Sequence, residues 1–143
     1  MEDLVNFELA KKLKEKGFNV SCIYAYCKQG GWNKYTQKHE PITYILRTDG
    51  NPFGSFYTGK NWNKEYKTNK NKIQCSAPII SQVLKWLRKE KGIHICIALG
   101  EFSDWMFDIS KIDGNVFYGA MDGFHSYEEA TLAGIEYVLD NLI

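Results

Sequence analysis

Residues 93–99 read Ile93-His94-Ile95-Cys96-Ile97-Ala98-Leu99, and after a short interval Trp105-Met106-Phe107-Asp108-Ile109 follows. In both stretches large apolar side chains occupy every second position. That is the period of a strand with one face on a core. Asp113-Gly114, a favoured two-residue hairpin turn, leads from the second stretch to a third at 116–118. Adjacent strands joined by short turns imply antiparallel pairing. Helices flank the three. Residues 76–91 carry Ile80, Val83, Leu84 and Leu87 on one helical stripe, with Ser76 as the expected cap, Pro78 in the first turn and Gly92 as the stop. Ser126 with Glu129 three positions on is a capping box, and it opens a helix through Ala130, Ala133, Ile135, Val138 and Leu142. Gly134 inside that helix costs about 1 kcal/mol relative to alanine, so it marks close backbone packing.

The first half repeats the theme. A helix is expected over 3–16, with Val5, Leu9, Ala10 and Leu13 on one face and Gly17 at its end. Shorter strands are expected at 21–27, 42–47 and 55–58, the last two joined across Asp49-Gly50-Asn51-Pro52. The predicted fold is therefore α+β: an antiparallel sheet with three helices, in the order α-β-β-β-(loop)-α-β-β-β-α. Lys14-Glu15-Lys16-Gly17-Phe18 before Cys22-Ile23 echoes Lys89-Glu90-Lys91-Gly92-Ile93 before Cys96-Ile97. The echo raises two related halves, and chance competes, because Lys-Glu-Lys-Gly is a generic helix ending.

The chain has 143 residues, 44% apolar and 24% charged with three prolines. These values predict one folded domain, 1–143, and exclude the disordered classes. No apolar run approaches the roughly 20 residues of a membrane helix. Met1-Glu2-Asp3-Leu4 lacks the basic-then-apolar order of a signal peptide. A cytoplasmic protein with free thiols and no membrane partner is expected. The formal net charge of +1 conceals a split: residues 1–27 balance, residues 28–92 hold thirteen bases against four acids, and residues 93–143 hold one base against nine acids.

The candidate binding segment is the loop-rich stretch 28–74, in which eight aromatics alternate with lysines, and 61–72 in particular reads as a mobile loop of Asn, Lys and Thr. Aromatic faces stack bases and lysines hold phosphates. Trp32, Tyr35, Arg47, Trp62 and Lys64 are the candidate ligand residues, joined by Lys85, Arg88 and Lys89 on the polar face of the second helix. The competing explanation is that these aromatics are sheet core and the lysines a solvated rim. The acidic end, with Glu101, Asp104, Asp108 and Asp122, is the candidate surface for a basic protein.

Chemistry is less well supported. Cys22 and Cys27, separated by four residues, have opposite parity and face opposite sides of a straight strand, Cys75 and Cys96 stand alone, and neither Cys-x-x-Cys nor His-x-x-x-His occurs, so no metal or other cofactor is expected. His39-Glu40 runs into Pro41 and is no metalloprotease helix, and His94 alternates with a packed strand. His125 with Asp104 or Asp108 is the one arrangement that leaves a small hydrolytic enzyme open as an alternative, beside a purely structural self-associating protein. The order helix, three strands, helix over 78–142 is shared with double-stranded-RNA-binding domains. Their final helix is basic, whereas here it carries Glu128, Glu129, Glu136 and Asp140 without a base.

Three blocks together carry a resemblance: Glu8-Leu9-Ala10-Lys11-Lys12-Leu13-Lys14-Glu15-Lys16-Gly17-Phe18; Ser76-Ala77-Pro78 with Gln82 and Lys85-Trp86-Leu87-Arg88; and Tyr127-Glu128-Glu129-Ala130 with Gly134-Ile135. They cover about a third of the chain, and the chain resembles a family of small uncharacterised proteins from phages and integrated elements of gut Bacteroidetes. The resemblance implies a genomic setting and no mechanism. It points to a non-catalytic binding protein, a counter-defence or host-modulating factor. Its partner would be a nucleotide, a single-stranded nucleic acid or a host protein, with a homo-oligomer as a further option.

Overall fold

A computed structural model describes residues 3–48, 61–65, 73–113 and 117–143. The fold is α+β, and the strands of the described residues form two antiparallel three-stranded sheets. The chain divides into two compact units, an N-terminal one of residues 6–78 and a C-terminal one of residues 1–5 and 79–143.

The N-terminal unit begins with α1, Phe7–Glu15. The helix starts later than the expected residue 3 because Asn6 is the residue that caps it: its Oδ1 accepts from the Leu9 N–H at 2.9 Å. Leu9, Ala10 and Leu13 are buried. Gly17 ends the turn at φ +87°, and the Phe18 N–H returns to the Leu13 carbonyl at 2.9 Å. The strands are β1 (Tyr24–Asn33), β2 (Lys38–Thr48) and β3 (Ile73–Ala77), in the order β2-β1-β3. β1 runs past the expected limit of 27 because Gly30 and Gly31, at φ +93° and +99°, take up a register shift within the strand.

The third strand of this sheet is β3, whereas the strand expected at 55–58 and the turn before it lie outside the described residues. Ser76 is accordingly not a helix cap. It is buried in β3 opposite Ala25, and its N–H donates to Asn63 Oδ1 at 2.8 Å. Proline disfavours helical geometry in the residue before it, so the helix forms beyond Pro78 and not at it.

Within the expected loop 61–72, Trp62–Glu65 form a short helix, α2; residues 66–72 lie outside the described part. Its asparagines act as hydrogen-bonding plugs. Asn61 Nδ2 donates to the Asn19 carbonyl at 3.0 Å and Asn63 Nδ2 to the Phe18 carbonyl at 2.9 Å. Between them the Trp62 Nε1–H donates to the Cys22 carbonyl at 2.8 Å. Polar composition that looks like loop here satisfies the backbone of the irregular segment 18–22, whose ends Phe18 and Cys22 are buried.

In the C-terminal unit, Leu4 bridges Ile79 and the Ile80 N–H donates to the Asp3 carbonyl at 2.9 Å. α3 spans Ile80–Lys91 with Ile79 as N-cap; Gln82 Oε1 accepts from the Ile79 N–H at 3.2 Å in place of a capping hydroxyl. Gly92 ends it at φ +64°. β4 (Ile93–Leu99), β5 (Trp105–Lys111) and β6 (Phe117–Phe124) follow in the order β4-β5-β6. The two residues of the expected Asp113-Gly114 turn fall at the edge of the described part, which omits 114–116.

α4 spans Tyr127–Asn141, and Ser126 Oγ accepts from the Glu129 N–H at 3.0 Å as its capping-box motif predicts. The Glu129 carboxylate reaches one residue further back than in the usual box, to the His125 N–H at 3.1 Å. Ile93, Ile95, Phe107 and Ile109 are buried on the sheet face that carries α4. A Cβ on Gly134 would lie 3.0 Å from Ile95 Cγ2 and 3.2 Å from Phe107 Cγ, so this glycine does mark close packing of helix on sheet. The two units share a helix and three antiparallel strands, but the first strand after the helix is central in one sheet and at the edge in the other. The sequence echo is thus realised at Gly17-Phe18 and Gly92-Ile93, two left-handed glycines each followed by a buried apolar residue, and not in the order of the sheets.

Candidate functional site

The β1–β2 hairpin is the outstanding surface of the N-terminal unit. Its register places Lys28 opposite Tyr44, Trp32 opposite His39 and Asn33 opposite Lys38. The tip is built on Asn33. Its Oδ1 accepts from the N–H groups of Tyr35 and Thr36 at 2.9 and 3.2 Å, and its Nδ2 donates to Glu40 Oε1 at 2.8 Å. The Gln37 N–H closes the turn on the Asn33 carbonyl at 2.8 Å, with Gln37 left-handed at φ +55°. An Asx turn of this kind holds the loop backbone in one shape.

Trp32 is 59% exposed and Tyr35 87% exposed on that frame. The Trp32 ring meets His39 edge to face at 5.0 Å, and Lys34 Nζ lies 5.3 Å from the centre of the Tyr35 ring. Nearer the base of the hairpin, Tyr44 stacks on Phe7 at 3.9 Å. The hairpin therefore separates two aromatic groups: one pinned to α1, the other displayed with lysines around it.

Trp62 corrects the sequence reading. Its indole is only 5% exposed and its N–H is spent on the Cys22 carbonyl, so its ring faces are core surface and cannot stack on a ligand. Lys64, in the same short helix, is exposed. Arg47 lies in β2 opposite Ala25. Lys85, Arg88 and Lys89 are exposed on α3 and belong to the other unit, so the eight candidates do not form one set within one unit. The local signal that separates Trp32 from Trp62 is the glycine pair immediately before Trp32, where β1 takes up a register shift and continues to Asn33.

The four acidic candidates also divide. Glu101 is exposed and Asp104 half-buried in the β4–β5 turn, where the Asp104 carbonyl accepts from the Gly100 N–H at 2.7 Å. Asp108 sits in mid-strand opposite Cys96 and Ala120, on the sheet face away from α4, and Asp122 is exposed in β6. The division into units sharpens the charge split. Residues 6–78 hold thirteen Lys/Arg against five Asp/Glu, a formal +8, and the remaining residues hold five against twelve, a formal −7.

Two further features bear on chemistry. A cleft of about 290 Å³ opens at the first turns of α3 and α4, lined by Asp3, Ile80, Ser81, Leu84, Tyr127, Glu128 and Thr131. His125 is not in that lining. Among the described residues, no group of three His, Cys, Asp or Glu side chains is close enough to hold a metal ion. Burial pushes the Cys22 thiol up to about 12 despite a neighbouring Ser76 hydroxyl, and burial likewise pushes Cys75 up to about 12 despite the lysines of α1. Such thiols are poor nucleophiles. Among the described residues no helix is long and apolar enough to cross a membrane. Compared with known proteins, the chain matches no family model, no curated protein and no solved structure.

Proposed function

We propose that the chain is a non-catalytic binding protein whose β1–β2 hairpin captures single-stranded nucleic acid. The observation that carries this reading is the display of Trp32 at the end of β1 and of Tyr35 on the held turn that follows, with Lys34 and Lys38 exposed in the same hairpin. An exposed aromatic ring stacks any base and gains about 1–3 kcal/mol for each. The lysines supply the sequence-independent phosphate contacts, and the formal +8 of the unit draws the ligand in. In a phage or integrated element, a small factor of this kind works in the host cytoplasm by occupying a nucleic acid that host defence would otherwise read or cut. Free nucleotides offer one base and fewer phosphates, and they bind more weakly to the same rings.

Fluorescence anisotropy with a labelled oligothymidylate tests this. Trp32→Ala should weaken binding about tenfold, as expected for a lost stacking platform. Lys34→Gln and Lys38→Gln should each lower the slope of log affinity against log salt by about 0.7. Absence of binding at low salt, or binding indifferent to Trp32 and Tyr35, refutes the proposal.

A further inference from the structure

The β4–β5 turn of the acidic unit displays an exposed aromatic ring. Phe102 is 89% exposed at its apex, and Leu99 at its base is 59% exposed. The turn is held shut by the Gly100 N–H on the Asp104 carbonyl and by the Ser103 N–H on the Gly100 carbonyl at 3.3 Å. Ser103 is left-handed at φ +62°, a conformation that costs a residue with a side chain. Glu101 and Asp104 belong to the same turn. A single exposed apolar residue is ordinary, but this one sits on a strained, hydrogen-bonded turn with a rim of one charge, which is how an interface anchor is presented.

The hairpin of the basic unit offers the complementary properties: exposed Trp32 and Tyr35, and a rim of Lys34 and Lys38. We infer that the chain associates head to tail, the Phe102 turn of one copy docking on the Trp32–Tyr35 face of a second copy. Opposite formal charges of −7 and +8 on the units that carry the two surfaces orient the encounter. Because the two surfaces differ, each copy offers one of each, and repetition of the contact gives closed rings, a reciprocal pair among them, or open chains. The inference does not rest on the nucleic-acid reading, but it uses the same rings, so a bound oligonucleotide and a second copy compete for the hairpin.

Sedimentation velocity of the purified full chain provides the test. The mass of the wild-type protein should rise with concentration and fall in about 1 M salt, where the screening length shrinks to about 3 Å. Phe102→Ala alone, and Trp32→Ala with Tyr35→Ala together, should each weaken association about tenfold or more. Each variant keeps the surface the other lacks, so an equimolar mixture should form a 1:1 pair and nothing larger. All these side chains are exposed, and unchanged circular dichroism verifies that the variants fold. A wild-type chain that stays monomeric at every concentration, a Phe102→Ala chain that assembles like wild type, or a mixture that forms no pair overturns the inference. A monomeric chain that still binds oligothymidylate overturns this inference alone and leaves the nucleic-acid reading standing.

Discussion

Replacing Trp62 and Trp32 separately by alanine should produce opposite outcomes for stability and binding. The Trp62 indole is almost fully buried, and its N–H satisfies the carbonyl of Cys22, forty residues away in sequence. Truncating a buried tryptophan costs about 3–5 kcal/mol through lost transfer energy and the cavity left behind. Orphaning a buried carbonyl costs about 1–3 kcal/mol, partly recovered if water enters the cavity. Trp62→Ala should therefore destabilise the N-terminal unit by about 4 kcal/mol, a large share of the roughly 5–15 kcal/mol typical of a whole domain. Trp62→Phe keeps most of the ring and loses the N–H, and should cost about 2 kcal/mol on the same reasoning. Trp32→Ala removes an exposed side chain and should change stability by about 0.5 kcal/mol or less, while weakening oligonucleotide binding. Urea unfolding followed by circular dichroism measures the stabilities, and acrylamide quenching distinguishes a shielded indole from an exposed one. If Trp62→Ala unfolds within about 1 kcal/mol of wild type, or Trp32→Ala costs as much as Trp62→Ala, the assignment of one ring to the core and the other to the surface is wrong.

Three further outcomes rest on glycine and cysteine environments. Gly30→Ala places a Cβ on the carbonyl oxygen of Pro41 at a backbone φ of +93°; it should lose about 2–4 kcal/mol from the combined strain and clash and weaken oligonucleotide binding by disordering the hairpin, with cross-strand nuclear Overhauser effects between β1 and β2 as the readout. The buried thiols of Cys22 and Cys75 are held protonated toward about 12, above the free value of 9.0. The unfolded chain ionises these thiols first, so stability should fall as pH rises above about 9, by up to about 1.4 kcal/mol per pH unit for each thiol until the folded values are reached. A flat stability profile between about pH 9 and 11 would argue against it. In the folded protein at about pH 8, Cys96 should react with a thiol reagent well before the buried Cys22, Cys27 and Cys75.

The parts of this molecule that follow from adjacent residues are legible in the sequence alone. The alternation at Ile93–Leu99, the helix ends at Gly17 and Gly92 and the Ser126 cap each depend on residues a few positions apart, and each stands in the fold; Gly134 announces close packing by itself, although the partners it packs on, Ile95 and Phe107, are distant in sequence. The misreadings share the opposite property. Ile73–Ala77 is a strand because β1 lies beside it, not because of an internal pattern: four of its five residues are buried, so no alternation is left to read. Asn61, Trp62 and Asn63 look like loop by composition, and are ordered by carbonyls at residues 18–22, more than forty positions away in two of the three bonds.

The candidate site is legible in the sequence only as a composition. Aromatic and basic residues between 28 and 74 are visible there, but tertiary contacts decide which ring stays outside: Trp62 finds a covered cavity and a carbonyl, and Trp32 rides on a hairpin that the Gly30-Gly31 bulge carries onward. The opposite charges are likewise countable along the chain, and only the division into two compact units turns them into two oppositely charged bodies. By itself the sequence determined the three longer helices, most of the strands and the polarity of charge, because periodicity and capping are properties of neighbours. The tertiary structure alone decided the third strand of the first sheet, the separation into two sheets, and the burial of each aromatic, because those depend on residues brought together from distant parts of the chain.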